Sequence, residues 1–180
     1  MNNIIELLLT RRSVREYVNK PISRDKLLSC IDAARLSPSA CNVQPWEFII
    51  IDDIKLKDKL TKEIFKGKFY PNKFSRKAPV IIVVLGKPDK TVDRMAYYIH
   101  GDNYFLLDIG IACSNLILRA HELNIGSCLL AWFDKEKVRK ILKISNKKKI
   151  IALISLGYAK KKQTSTTTRK NINEILQFNI

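Results

Sequence analysis

The run Val80-Ile81-Ile82-Val83-Val84-Leu85 constrains the fold more than any other stretch of the chain. It is continuous, apolar and largely β-branched, and it is too short for a helix, so it predicts a strand buried on both faces. The flanking patterns supply the layers around it. Residues 2–9 predict a short helix, apolar at Ile4, Ile5, Leu7, Leu8 and Leu9, with an asparagine available as its cap. A polar segment, Thr10 to Lys20, follows and ends at Pro21. Ser23 can cap a second helix whose buried stripe is Leu27, Leu28, Ile31 and Ala34. That helix must stop before Pro38, because a residue preceding proline is pushed out of the α region. A β-rich run covers Trp46 to Ile51. Asp52 or Asp53 caps a helix carrying Ile54, Leu56, Leu60, Ile64 and Phe65.

Beyond the central run, a long helix fits roughly 102–123, apolar at Phe105, Ile109, Ala112, Leu116, Ala120 and Leu123. Gly126 begins a strand through Phe133. Asp134 caps the helix of Val138, Ile141 and Leu142, and a last strand runs from Lys149 to Leu156, ending at Gly157. The tally is α+β. Alternating helices and strands would usually suggest a doubly wound nucleotide fold, but the glycines oppose it. Gly67, Gly86, Gly101, Gly110, Gly126 and Gly157 all stand alone, whereas a dinucleotide fingerprint or P-loop needs clustered glycines to bring backbone amides to phosphate. A phosphate must therefore be held by side chains.

Composition narrows the class. A chain of 180 residues with 46% apolar content predicts one domain with one sizeable core. No stretch approaches the roughly 18 unbroken apolar residues of a membrane span, and the start lacks the basic region of a secretory signal, so a cytoplasmic protein is expected. Cys30, Cys41, Cys113 and Cys128 form no CxxC pair, and His100 and His121 are too few for a zinc rhythm, so reduced, structural thiols and no metal are expected. The net charge of +16 invites a nucleic-acid reading. Its distribution argues against one. Residues 135–170 hold thirteen Lys and Arg against Glu136 alone, grouped as Lys147-Lys148-Lys149 and Lys160-Lys161-Lys162 at element ends. No aromatic residues interleave with these lysines as a base-stacking surface requires. A solvated surface that also draws in anionic cofactors is the simpler reading.

Two clusters carry candidate chemistry. Arg11-Arg12-Ser13-Val14-Arg15 sets three guanidiniums and a hydroxyl within five residues, a donor set suited to phosphate or equally to an ordinary basic loop. In an extended segment, alternation would place Arg11, Ser13 and Arg15 on one side. The second cluster is Ser37-Pro38-Ser39-Ala40-Cys41-Asn42-Val43-Gln44-Pro45-Trp46. Its prolines stiffen it, its small residues let the backbone approach a flat partner, and Asn42 and Gln44 offer amides that can read a heteroaromatic edge. Trp46 reads as a core anchor.

Taken in order, these motifs resemble the nitroreductase superfamily. The similarity continues through Asp108-Ile109-Gly110-Ile111-Ala112, Leu123-Asn124-Ile125-Gly126-Ser127-Cys128, Phe133-Asp134, Leu156-Gly157-Tyr158 and Arg169-Lys170, and so spans almost the whole chain. Each piece alone is weak; the ordered set is specific. The resemblance implies a single FMN-binding domain over 1–180, with a mixed, mostly antiparallel central sheet flanked by helices. It also implies an intertwined homodimer with FMN held non-covalently at the interface. Arg11, Arg12, Ser13 and Arg15 match positions that hold the ribityl chain, the phosphate and part of the ring's polar edge. Arg169 matches the basic residue that completes the phosphate site. Pro38, Ser39, Ala40 and Asn42 match the segment reaching the flavin from the other subunit, with Gln44 in the same motif. Leu129, Leu130, Ala131 and Trp132 match the stretch lining the opposite flavin face, with the Ala131 N–H as donor to flavin N5.

The implied reaction is hydride transfer from NAD(P)H through flavin N5 to a nitroaromatic, quinone or similar small acceptor, by a ping-pong mechanism in which no side chain acts as catalyst. Two positions depart from the family pattern. Thr167 stands where many members have a second basic residue, which predicts a weaker grip on phosphate. Ala131 and Trp132 stand where larger members have an acid and a glycine, which predicts a different substrate pocket while leaving a backbone donor in place. Cys41 reads as a bystander thiol. Rival readings are a dehalogenase-like member of the fold, a non-catalytic flavin-binding protein and, least favoured, a basic nucleic-acid-binding module.

Overall fold

A computed structural model describes residues 3–89, 91, 103–161 and 167–179. His100, Gly101, residue 102 and Lys162 lie outside the described residues.

The central apolar run forms β2 (Val80–Gly86), buried along its whole length. It lies between β1 (Trp46–Ile51) and β4 (Lys149–Gly157), and β3 (Gly126–Leu130) completes a four-stranded sheet in the order β1-β2-β4-β3. All three pairings are antiparallel, with Phe48 opposite Val84, Ile82 opposite Ile154, and Cys128 opposite Ser155. A parallel bridge joins Ser13 to Ser127, so the sheet is mixed but mostly antiparallel.

Alternation on β2 then assigns two cores. Ile81, Val83 and Leu85 pack with Leu60, Ile64 and Phe65 from α3 (Ile54–Ile64) and its end, and with Val138 of α5 (Lys135–Leu142). Val80, Ile82 and Val84 pack with Leu27, Cys30 and Ala34 of α2 (Arg24–Arg35), and with Phe105, Ile109, Ala112 and Leu116 of α4 (Tyr104–Glu122). Each of the buried valine, leucine, isoleucine and phenylalanine side chains among them contributes roughly 1.5–3 kcal/mol. The strand is dry on both sides because helices cover both faces of the sheet.

The caps follow the sequence closely. Asn3 accepts from the Ile5 N–H at the start of α1 (Ile4–Thr10), Asp53 from Leu56, and Asp134 from Lys137. Ser23 occupies the N-cap position of α2, although its hydroxyl makes no capping bond. Three expectations need correction. Leu28 is 61% exposed and Cys30 is buried instead, since Leu27, Cys30 and Ala34 follow the helical period while Leu28 sits about 100° round. Ile54 and Leu56 are also exposed, and α3 buries Lys57, Leu60, Thr61 and Ile64. The strand expected to reach Phe133 stops at Leu130, its last pair being with Leu153. Past that point the Trp132 carbonyl accepts from Asn72 Nδ2 at 2.8 Å, and Phe133 turns into the core. Among the described residues, no helix is long and apolar enough to cross a membrane.

Candidate functional site

The arginine segment leaves α1 at Arg11 and runs along the edge of β3. The Val14 N–H donates to the Ser127 carbonyl at 2.9 Å, the Val18 N–H to Tyr158, and the Lys160 N–H returns to Glu16. Val14 and Tyr17 are buried, and the Tyr17 hydroxyl donates to the Val14 carbonyl at 2.7 Å while meeting Ser155 Oγ at 2.8 Å. Burial pushes the Tyr17 phenol well above its ordinary range. Two of the lone glycines make this seat possible. A Cβ on Gly126 would stand 2.6 Å from Val14 Cγ2, and one on Gly157 would stand 2.6 Å from the Tyr17 ring. They serve close packing of the arginine segment against the sheet, where no side chain fits.

With Val14 turned inward, Ser13 and Arg15 both face out. Arg11 does not join them as alternation suggested. It is still the C-cap residue of α1, so the extended pattern sets in only after it. Arg11 and Arg12 instead line a cavity of about 280 Å³ together with His121, Asn124, Ser127 and Lys161. Among the described residues no carboxylate lines it. Arg12 Nη1 donates to the carbonyls of Leu9 and Arg11 at 2.6 and 2.7 Å, tying off the end of α1. Arg15 turns the other way, with its guanidinium 5.9 Å from the centre of the Phe74 ring.

His121 is a participant that sequence reasoning passed over. Thr10 Oγ1 gives its one proton to the Glu6 carbonyl at 2.7 Å, so in its 2.9 Å contact with His121 Nε2 the hydroxyl accepts. The hydrogen therefore sits on Nε2. Burial, then the charges of Arg11 and Arg12, hold this imidazole below the usual histidine range. The two guanidinium charges that oppose a further positive charge would attract an anion, and the donor set suits a phosphate.

The Ser37–Gln44 loop is built differently. Its middle is a single 3₁₀ turn, Ala40–Asn42. Cys41, Asn42 and Gln44 take φ values of 48°, 55° and 51°, a left-handed backbone that costs of order 1–3 kcal/mol per non-glycine residue. Ser39 Oγ accepts from the Gln44 N–H at 2.9 Å, and Gln44 Nε2 folds back to the Asn42 carbonyl at 3.2 Å. Pro38, Cys41, Asn42 and Gln44 are exposed, while Ser39 and Ala40 are half-buried. Gln44 also lines a cavity of about 820 Å³ with Trp46, Lys87 and Lys149. All four cysteines are free, but only Cys30, Cys113 and Cys128 are buried core residues; Cys41 stands exposed on this turn.

The third stretch follows β3. Leu130 is buried, whereas Leu129, Ala131 and Trp132 are exposed, Trp132 by 56%. Asn72 and Phe74, which brace Trp132 and Arg15, lie in a 3₁₀ segment (Gly67–Lys77) whose mixed composition carried no sequence signal. Arg169 and Thr167 lie in an exposed C-terminal segment, where Arg169 Nη1 donates to the Thr168 carbonyl at 3.1 Å.

The chain is similar to several known proteins. A family model described as "Nitroreductase family" matches residues 8–158, a span that includes the arginine segment, the loop and the stretch after β3 but not Arg169. The chain is 31% identical to an Archaeoglobus fulgidus protein provisionally named NADH dehydrogenase/NAD(P)H nitroreductase, across 89% of this chain and 87% of that one. It is 26% identical to the oxygen-insensitive NADPH nitroreductase of Helicobacter pylori over 84% and 85% of the two chains. Among solved structures, an FMN-dependent nitroreductase from Clostridium difficile R20291 superposes with a TM-score of 0.79 at 27% identity, covering 98% and 99%.

Proposed function

The chain belongs to the nitroreductase family, and from that membership we propose that it is a flavin oxidoreductase working as a homodimer. When bound, FMN would supply the chemistry, carrying a hydride from NAD(P)H to a nitroaromatic, quinone or similar electron-poor acceptor in two separate half-reactions. The observation that carries the proposal is the cavity lined by Arg11, Arg12 and Lys161, whose lining among the described residues includes no carboxylate. It offers a mononucleotide's phosphate permanent positive charge beside a buried edge of the sheet. The names of the Helicobacter and Clostridium relatives, NADPH in one and FMN in the other, support the same reading.

Each residue then has a task. Arg11 and Arg12 hold phosphate, Ser13 and Arg15 meet the ribityl chain and the ring's polar edge, and Arg169 closes the phosphate site from the C-terminal segment. Leu129, Leu130, Ala131 and Trp132 form the wall behind the ring, with the Ala131 N–H as a hydrogen-bond donor to it. Pro38, Ser39, Ala40, Asn42 and Gln44 come from a second copy of the chain. The surface of α4 supports that assembly. One face packs on the sheet, while on the other Leu107 is 67% exposed, Ile111 is exposed, and a Cβ at Gly110 would meet nothing within 4 Å. A helix that is apolar on its outer face and lacks a side chain at Gly110, between Leu107 and Ile111, suits close approach by another helix.

The test is the visible spectrum of the purified protein without oxygen. A yellow protein that NADPH or NADH bleaches, and that a nitroaromatic then restores, is the expected result. Colourless protein that takes up no added FMN would overturn the proposal. A yellow protein that neither nucleotide bleaches would leave a flavin-binding protein and remove the enzyme.

A further inference from the structure

Two polar side chains of α4 grip the Ser37–Gln44 loop. Asp108 presents both carboxylate oxygens to the Ala40 N–H, each at 3.3 Å. Asn115 Nδ2 donates to Ser37 Oγ at 2.8 Å. The two residues are seven positions apart, so they stand on one face of the helix, about two turns from each other. That face is otherwise the apolar one of Phe105, Ile109, Ala112 and Leu116. A carboxylate buried there is costly unless it is hydrogen-bonded, and its bond to Ala40 reaches the start of the Ala40–Asn42 turn. Two of the three left-handed residues, Cys41 and Asn42, lie within that turn, and the third, Gln44, lies two residues beyond it. Backbone of this kind persists only where its surroundings over-determine it, and these side-chain bonds add to the loop's own bonds from Asn42 and Val43 to Ser39 and Ala40.

We propose that Asp108, assisted by Asn115, is a positioning residue that presets the Ala40–Asn42 turn to meet the flavin held by a second copy of the chain. The proposal rests on the FMN reading above and adds the device that shapes one half of the site. What the geometry demands at 108 is an acceptor at the right place. Asparagine supplies one through Oδ1; alanine supplies none. The same reasoning assigns Asn115 the flank of the loop, where it fixes Ser37 ahead of the turn.

The experiment compares the full-length chain with its Asp108→Ala, Asp108→Asn and Asn115→Ala variants. FMN affinity is read by flavin fluorescence, and protection of the Ala40 amide by hydrogen exchange in flavin-free protein. Asp108→Ala should weaken FMN roughly tenfold, in line with loss of one charge-assisted hydrogen bond, and should release the Ala40 amide to exchange. Asp108→Asn should stay within about threefold of the parent and keep Ala40 protected, a rescue that general destabilisation would not produce. Asn115→Ala should fall between them. Parental FMN affinity in Asp108→Ala, or an Ala40 amide that exchanges freely in the parent, overturns the proposal. If Asp108→Ala does not fold, Asn115→Ala decides, and parental values in both readouts reject the clamp. A parent protein that binds no FMN defeats the functional reading itself, an outcome distinct from a flavin-binding parent whose variants behave alike.

Discussion

The arginine segment and the Ser37–Gln44 loop, the two halves of the proposed flavin site, are ordered by opposite means. The first is stitched to the sheet by backbone bonds from Val14 and Val18 and anchored by two buried side chains, Val14 and Tyr17. The second holds three left-handed residues in place through side-chain bonds from Ser39, Asp108 and Asn115. A segment paired to a buried strand opens only when that part of the sheet opens, whereas a loop held by polar contacts can open alone. The proposed site is therefore rigid at one end and more easily opened at the other. The end proposed to hold phosphate is backed by the core, and the end proposed to face the ring is held by a few hydrogen bonds.

Breaking the rigid half should have the largest effect. In Gly126→Ala the new methyl collides with both Val14 Cγ2 and Val14 Cβ, at 2.6 and 2.9 Å, so the arginine segment itself must shift. Overpacking of this kind should cost about 3 kcal/mol and loosen FMN at the same time, measured by denaturant midpoint and flavin titration. A variant with unchanged stability and affinity would mean that the segment is not seated through Val14. Next in size is Arg11→Ala, which should weaken FMN by about 1.5–3 kcal/mol without altering the fold. Arg169→Ala sharpens the contrast, because Arg169 lies in an exposed segment beyond the family match. Full flavin in both purified variants would remove the phosphate-site assignment. Tyr17→Phe is smaller again. It removes the hydroxyl that bonds Val14 and Ser155, for about 1 kcal/mol of stability. Burial holds this phenol protonated beyond its ordinary pKa of 10.0, so its contribution is full below pH 10 and falls as the pH rises above that. The phenylalanine variant should therefore lose less stability on the alkaline side, as equilibrium unfolding across that range would show.

How much of this was legible beforehand depends on the period of each signal. The β2 run, the Asp53 and Asp134 caps and the stripe of α4 all carry their meaning within a few residues, and each forms as the pattern predicts. What escaped was long-range. Nothing near Gly126 or Gly157 announces that Val14 and Tyr17 will press against them, and a lone glycine reads as a turn or a weak point until its neighbour is known. Leu28 reads as core from sequence because a helical stripe taken without its sheet has no defined centre. The arginine cluster was visible as a donor set, but its division into Arg11 with Arg12, and Arg15 with Phe74, depends on where α1 ends. His121 stayed hidden for the same reason: its partners Thr10, Arg11 and Arg12 lie over a hundred residues earlier.

The smallest predicted effect tests that histidine and, through it, the charge of the cavity. Burial and the Arg11 and Arg12 charges depress the His121 pKa below its ordinary 6.5, so the folded state resists taking a proton that the unfolded chain accepts. The stability this implies is present above pH 6.5 and is lost as the pH falls below it. An anion seated between the arginines would offset their charge and relieve part of the depression. Inorganic phosphate added during an NMR titration of the imidazole should therefore move the His121 midpoint upward. In Arg11→Ala the midpoint should start higher and respond less. A midpoint indifferent to both phosphate and Arg11 would place the anion site elsewhere, while the burial of His121 would still stand as a packing feature.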